Sequence, residues 1–153
     1  MSYVHHTILV VDDNPDDARF TTLALQRVGV ISPVQTVSDS EAALRYLSGQ
    51  GSYADSESYP LPVLVLLDLI ARRSGLELLA WLRQQPVLKR LPVVVLTSSR
   101  EAADINRAYE LGCNSYLIKP TSFNTLLVMM QTLAQYWLSL NETPQVRTDT
   151  QRN

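Results

Sequence analysis

The sequence predicts an α/β domain in which one parallel β-sheet is covered by helices on both faces. Five short runs of apolar residues recur along the chain, and a longer segment with helical spacing follows each of them. These runs are apolar at nearly every position, which is typical of strands buried on both faces. With 153 residues, 46% of them hydrophobic, the chain is long enough for one domain with a sizeable core.

The predicted strands are the apolar runs themselves. In chain order they cover residues 7–11, 34–37, 63–67, 92–96 and 115–118. The third run is the clearest, because it is apolar at every position and ends at Asp68. Parallel strands that alternate with helices need right-handed crossovers, so the intervening segments must lie on the two faces of the sheet.

The predicted helices begin and end at capping signals. Asn14 can cap the first helix, with Pro15 at its first position, and Gly29 ends it. Asp39 marks the start of the second helix, and later helices are predicted over residues 75–85, 100–111 and 122–140. Residues 51–62 lack periodicity, which predicts a long surface loop.

Composition excludes several classes of protein. A formal net charge of −2 is too neutral for nucleic-acid binding by bulk electrostatics. The single cysteine, Cys113, rules out a disulfide framework and a multi-cysteine zinc site, and the only histidines are the adjacent pair at residues 5 and 6. No segment resembles a membrane span or a signal peptide, so we expect a cytoplasmic protein.

The chain divides into three predicted parts. Residues 1–6 form an N-terminal extension, and residues 7–140 form the folded domain. Residues 141–153 turn polar after the last apolar helix. Polar chain ends without apolar anchors are commonly disordered, so we expect a disordered tail there.

Polar residues follow four of the five predicted strands. They are Asp12 and Asp13, then Asp68, then Thr97 with Ser98, and last Lys119 with Pro120. Ligands of open parallel sheets bind outside the carboxyl ends of the strands, so these side chains are expected to converge. Three carboxylates in one crevice repel one another unless a cation joins them, and Mg²⁺ suits oxygen ligands of this kind. A hydroxyl and an ammonium group complete a pocket for a phosphate.

These motifs, in this order and spacing, resemble the CheY-like receiver domain of response regulators in two-component signalling. The resemblance is carried by VVDDNP at residues 10–15, LLDL at 66–69, VVLTS at 94–98 and NSYLIKP at 114–120. It covers residues 7–140. It implies a flavodoxin-like (βα)5 three-layer sandwich whose five-stranded parallel sheet has the order 2-1-3-4-5.

The resemblance also implies roles for the residues of the predicted pocket. Asp68 would accept a phosphoryl group from a histidine kinase as the nucleophile. Asp12, Asp13 and Asp68 would hold Mg²⁺ together with the backbone carbonyl of Ile70. Lys119 would contact the phosphoryl oxygens as a point charge. A receiver of this kind catalyses only its own phosphorylation and dephosphorylation, so it is not an enzyme in the ordinary sense.

Two further residues would form the switch of such a receiver. Thr97 would close onto the phosphate, and Tyr116 would rotate inward behind it, which changes the surface formed by the fourth helix, fifth strand and fifth helix. The family also implies a cis bond between Lys119 and Pro120.

Several segments resemble, more narrowly, the small stand-alone regulators paired with phytochrome histidine kinases. They are residues 51–62, 86–92, 109–111 and 136–138. This likeness implies a phytochrome-type kinase as partner and no DNA-binding output domain.

The last helix has more apolar residues than one face can bury, which predicts a homodimer through this helix and its neighbours.

The segment after Asp68 departs from the family pattern. Arg72 stands where the family places a proline, and Gly75 arrives one residue early, so this loop is one residue short and the metal geometry at Ile70 is altered. A receiver that acts by protein binding without phosphorylation therefore remains an alternative function. An aspartyl phosphohydrolase is disfavoured, because Ile70 stands where its second aspartate would be. A nucleotide or flavin binder is disfavoured, because the first loop has no glycine.

Overall fold

Five parallel strands form a single sheet in the computed structural model, which describes residues 7–69 and 74–146. The strands are β1 (Ile8–Val11), β2 (Val34–Val37), β3 (Leu64–Leu67), β4 (Val93–Thr97) and β5 (Ser115–Ile118). Their order is β2-β1-β3-β4-β5, and all four neighbouring pairs are parallel. The predicted flavodoxin-like arrangement is confirmed.

The five predicted helices are all present. They are α1 (Pro15–Arg27), α2 (Ser40–Ser48), α3 (Ser74–Arg83), α4 (Ala102–Glu110) and α5 (Phe123–Ala134), and α5 continues into a π-helical segment (Gln135–Leu140). The side chain of Asn14 accepts hydrogen bonds from the backbone amides of Asp16 and Asp17, and Pro15 is the first helical residue. The predicted cap therefore sets where α1 begins, directly after the end of β1.

The core has two parts, one on each face of the sheet. Neighbouring residues of a strand point to opposite faces, so Leu9 and Val11 pack with α2, α3 and α4, whereas Ile8 and Val10 pack with α1 and α5. All four residues of β1 are buried, as are all four of β3. This two-sided burial is the physical reason for the continuous apolar runs in the sequence.

The long loop after α2 is held by an aromatic cluster. The ring centroids of Tyr53 and Tyr59 lie 5.2 and 5.9 Å from that of Tyr46, and 5.0 Å from each other. The Tyr46 hydroxyl donates a hydrogen bond to the carbonyl oxygen of Pro60 over 2.8 Å. The loop is therefore anchored to α2 at both of its tyrosines, although its sequence has no periodicity.

Residues 145 and 146 of the polar tail lie against the folded domain. Val146 is buried in the core cluster on the α2, α3 and α4 side, and Arg90 donates a hydrogen bond from Nη1 to the carbonyl oxygen of Gln145 over 3.1 Å. Burial of one apolar side chain and a hydrogen-bond partner for the backbone favour this contact. Residues 147–153 and the predicted extension over 1–6 lie outside the described residues.

Two other expectations bear on the described parts of the chain. Every peptide bond there is trans, including the Lys119–Pro120 bond that the family resemblance predicted to be cis. The trans form is the intrinsically favoured isomer of a bond before proline. Within residues 7–69 and 74–146, no helix has the length and apolar character needed to cross a lipid bilayer.

Candidate functional site

The carboxyl ends of β1 and β3 place two of the predicted site residues side by side. Val11 pairs with Leu67 in the sheet, so Asp12 and Asp68 follow neighbouring strand ends. The backbone amide of Asp68 donates to the carbonyl oxygen of Val11 over 2.9 Å, which extends the ladder by one bond. The position of both aspartates is therefore fixed by the sheet itself.

The ends of β4 and β5 bring the remaining residues to the same edge. Thr97 is the last residue of β4 and is buried, and it pairs with Ile118 of β5. The backbone amide of Lys119 donates to the carbonyl oxygen of Thr97 over 2.8 Å. Strand order places β3 between β1 and β4, so the Lys119 side chain must reach across β4 and β3 to the aspartates.

Three carboxylates meet at this edge. Asp12, Asp13 and Asp68 each offer an oxygen atom, and these atoms all lie within 4.8 Å of one another. Asp12 and Asp68 are buried and Asp13 is exposed. Asp12 also accepts a hydrogen bond at Oδ1 from the backbone amide of Asn14 over 2.9 Å, which leaves Oδ2 to face the crevice. The three predicted aspartates are thus brought together.

Lys119 contacts three carboxylates at once. Its Nζ lies 2.8 Å from Oδ2 of Asp12, 2.8 Å from Oδ2 of Asp17 and 3.2 Å from Oδ2 of Asp68. Burial alone would lower the pKa of Lys119, but the hydrogen bonds to Asp12 and Asp17 and the negative charge of Asp68 raise it well above its ordinary value. The side chain is therefore a cation throughout the physiological pH range.

Charge at the site favours a further cation. Burial raises the pKa of Asp12 above its ordinary value, and the hydrogen bonds from Lys119 and Asn14 oppose this rise. One ammonium group cannot balance the carboxylates around it, and a set of carboxylate oxygens facing one another is the donor set that Mg²⁺ prefers. Asp12, Asp13 and Asp68 fit such an ion. Ile70, whose carbonyl was the fourth predicted ligand, lies outside the described residues.

The predicted switch residue Tyr116 is tied to the loop after β4. Its hydroxyl donates to the carbonyl oxygen of Ser99 over 3.0 Å, and its ring packs against the core cluster on the α3 and α4 side. Burial raises the pKa of Tyr116, and the hydrogen bond to Ser99 opposes the rise. The hydrogen bond therefore joins the Tyr116 ring to the loop after β4, and the inward rotation on phosphorylation stays a prediction.

Asp17 contacts Lys119 but was not among the site residues predicted from the sequence. Asn14 caps α1, and side chains of a helix tilt toward its N-terminus, so Asp17 reaches back toward the strand ends. The signal that identifies it is its position three residues after the cap. Asp17, Phe20, Lys119 and Phe123 also line an open cleft of about 310 Å³ beside the carboxylates.

Fold and site together define a class of protein. Residues 8–131 match the family model described as response regulator receiver domain. The chain belongs to this family. Its three aspartates, Thr97 and Lys119 lie at the carboxyl ends of the strands, within the sequence motifs that resemble the family.

Individual relatives show which members of the family this chain resembles. The response regulator Rcp1 of Synechocystis sp. is 39% identical over 86% of this chain and 88% of its own length, and the probable methanogenesis regulatory protein FilR2 of Methanothrix harundinacea is 38% identical over 90% and 86%. The crystal structure of the phosphorylated cyanobacterial phytochrome response regulator RcpA has a TM-score of 0.84, and that of Mn²⁺-bound Rcp1 has 0.81. Each is 37% identical and covers 92% of this chain and 99% of its own. The chain is similar to single-domain regulators of the Rcp type.

Proposed function

We propose that the protein is a phosphorylatable signalling switch in a two-component pathway and that Asp68 accepts the phosphoryl group. The observation that carries this proposal is the convergence of three carboxylates with the ammonium group of Lys119 at the carboxyl edge of the sheet. A buried carboxylate between acidic neighbours and a cation has little structural use, but it suits transfer of a charged phosphoryl group.

The chemistry of the transfer assigns a role to each residue. An oxygen of Asp68 forms a bond to phosphorus as the phosphorus–nitrogen bond of a phosphohistidine breaks, and the leaving imidazole keeps the bonding pair and takes a proton. Asp12, Asp13 and Asp68 would hold Mg²⁺, which supplies charge neutralisation at the phosphoryl oxygens. Lys119 donates hydrogen bonds to the same oxygens.

The signal would leave the site through Thr97 and Tyr116. Thr97 ends β4 beside the acceptor, and the next residues form the loop that Tyr116 holds through Ser99. A Thr97 hydroxyl drawn to the phosphoryl group moves this loop and, with it, α4 and β5. The expected output is a changed binding surface on α4, β5 and α5 rather than turnover of a substrate.

A phytochrome-type histidine kinase is the proposed phosphodonor. The similar protein RcpA is named a phytochrome response regulator, which supports this partner. The similar protein FilR2 is named a methanogenesis regulatory protein, so the kinase must be tested directly. Phosphotransfer from a purified phytochrome kinase should exceed that from an unrelated histidine kinase by at least about tenfold, since kinase specificity is a difference of affinities. Equal rates from both kinases would contradict this partner.

A second copy of the chain is the other proposed partner. Val128, Tyr136 and Leu140 have exposed fractions of 64%, 51% and 69% on α5 and the π-helical segment that follows it. No charged residue occurs between residues 121 and 141, so this whole helical surface is neutral. A neutral apolar stripe of this length suits a symmetric contact with the same stripe of a second copy.

Phosphorylation by a small phosphodonor tests the central proposal. The protein is incubated with acetyl phosphate and Mg²⁺, and intact mass spectrometry counts phosphoryl groups. One group should be added to the native chain and to Asp16→Asn, in which an exposed carboxylate of α1 is removed, but none to Asp68→Asn. A native chain that stays unmodified would contradict the proposal and favour the receiver that acts by binding alone.

A further inference from the structure

We propose that Asp17 is a positioning residue that draws Lys119 toward α1 and opposes loading of Asp68 with a phosphoryl group. The inference rests on the proposed function, because it concerns the occupancy of the same acceptor. Asp17 lies outside the predicted site, and it would set how readily Asp68 accepts the phosphoryl group.

The ammonium group of Lys119 is surrounded by carboxylates: Nζ donates hydrogen bonds to Oδ2 of Asp17 and of Asp68 and forms a close ion pair with Oδ2 of Asp12. An ammonium group has three N–H donors, and Nζ has three carboxylate oxygens within 3.2 Å, one each from Asp12, Asp17 and Asp68. The contacts to Asp12 and Asp17 are both 2.8 Å, shorter than the 3.2 Å contact to the acceptor. A phosphoryl group on Asp68 therefore competes with these carboxylates for the hydrogen bonds of Lys119.

Asp17 is the carboxylate that can be released at least cost. Its side chain is 39% exposed, whereas those of Asp12 and Asp68 are 4% and 10% exposed. Water can take over the hydrogen bond of a half-exposed carboxylate, but a buried one that loses its partner pays its full desolvation cost. Asp12 is further held at Oδ1 by the amide of Asn14. Loading of Asp68 is thus coupled to release of Asp17.

The charge of Asp17 acts in the same direction as its hydrogen bond. It adds a fourth carboxylate beside the three that face the proposed metal position, and the arriving phosphoryl group is itself anionic. Removing this charge lowers the repulsion that the phosphoryl group meets and frees one donor of Lys119. Both effects predict that loss of Asp17 favours the loaded state.

Binding of beryllium fluoride, a stable mimic of the phosphoryl group, tests the inference. The affinity is measured by ¹⁹F NMR of the full chain at a Mg²⁺ concentration that saturates each variant. Asp17→Asn should bind the mimic about fivefold more tightly than the native chain, and Asp17→Ala at least as tightly, since a half-exposed ion pair is worth up to about 1 kcal/mol. Asp17→Glu keeps the charge and should restore native affinity.

Asp16→Asn is the matched control, because it removes the same charge from the same helical turn without removing a contact to Lys119. It should bind the mimic with native affinity. Tighter binding of the mimic by Asp17→Asn, with native affinity in Asp16→Asn, supports the inference. Binding by Asp17→Asn when the native chain binds no mimic also supports the inference, but it contradicts the proposed function. Equal or weaker binding by Asp17→Asn, or an equal gain in Asp16→Asn, overturns it.

Discussion

The first turn of α3 lies against the backbone that carries Asp68, at a distance that only glycine permits. A Cβ atom added at Gly75 would lie 2.5 Å from the carbonyl oxygen of Asp68 and 2.7 Å from the Cα of Leu69. The amide of Gly75 also donates to the carbonyl oxygen of Leu69 over 2.8 Å. These neighbours are backbone atoms and cannot turn aside as a flexible side chain can, so Gly75 sets the approach of α3 to the acceptor residue.

Gly75→Ala is expected to destabilise the fold and to impair the acceptor together. Overpacking of this kind costs about 1 to 3 kcal/mol in the free energy of unfolding. Relief of the overlap must shift either α3 or the backbone at Asp68, so phosphorylation by acetyl phosphate should slow. Urea unfolding gives the first quantity, and intact mass spectrometry over time gives the second.

Gly51→Ala is the matched control for that prediction. Gly51 has φ +60°, and no heavy atom lies within 4 Å of an added Cβ. The alanine there meets only left-handed backbone strain, about 1 to 2 kcal/mol, and it should leave the phosphorylation rate unchanged. A Gly75→Ala variant that is phosphorylated at the native rate would contradict the link between this contact and the site.

Magnesium is expected to stabilise the folded chain through the three aspartates. A ligand that binds only the folded state adds about 2.7 kcal/mol at a concentration one hundred times its Kd. Asp13 is the exposed member of the set, so Asp13→Asn removes a ligand without disturbing the core. The melting temperature should rise with Mg²⁺ in the native chain and in Asp16→Asn, and much less in Asp13→Asn. An equal rise in Asp13→Asn would show that the ion binds elsewhere.

Local signals in the sequence were enough for most of the fold. Strands buried on both faces must be apolar throughout, so the five apolar runs identify the strands. The local sequence of Asn14 and Pro15 is enough to set where α1 begins. The site followed from these strands, since polar residues at their carboxyl ends must share one edge. Sheet order and the role of each residue came from the family resemblance.

The features that were missed depend on contacts between distant parts of the chain. Asp17 meets Lys119 across 102 positions, and Arg90 meets Gln145 across 55. Val146 is one apolar residue in a polar segment, and its burial depends on the shape of the surface it meets. The cap at Asn14 places Asp17 near the strand ends, but no local pattern identifies the distant partner of Asp17, Arg90 or Val146, because these contacts are set by packing after the sheet has formed.

Stability at alkaline pH should depend on Tyr46. Burial of its phenol, together with the charges of Tyr59 and Tyr53, raises the pKa of Tyr46 to about 12. A group whose pKa is raised by folding contributes stability that is complete below its unfolded pKa, about 10, and is lost as pH rises toward 12. The loss amounts to about 2 to 3 kcal/mol over that window. The free energy of unfolding in urea between pH 9 and 12 measures it.

Tyr46→Phe should flatten this alkaline slope. The variant loses the hydrogen bond to Pro60, which lowers its stability by about 1 kcal/mol at neutral pH, but it has no phenol to ionise at this position. Tyr109→Phe removes a half-exposed phenol from α4 and should keep the native slope. The same slope in the native chain and in Tyr46→Phe would mean that other groups govern alkaline unfolding.

Self-association is expected to fail when the neutral surface of α5 receives a charge. Val128 is 64% exposed in a helix without charged residues, so Val128→Glu places a carboxylate in the middle of the proposed symmetric contact. Two such carboxylates face each other in a symmetric dimer, and burying them unpaired costs several kcal/mol. Sedimentation velocity at high micromolar concentration should show a dimer for the native chain and a monomer for Val128→Glu. Ile31→Glu is the control: it places a charge after α1, at an apolar side chain that is more exposed than Val128, and this variant should remain dimeric. A native chain that sediments only as a monomer would rule out this interface, and so would dissociation of Ile31→Glu.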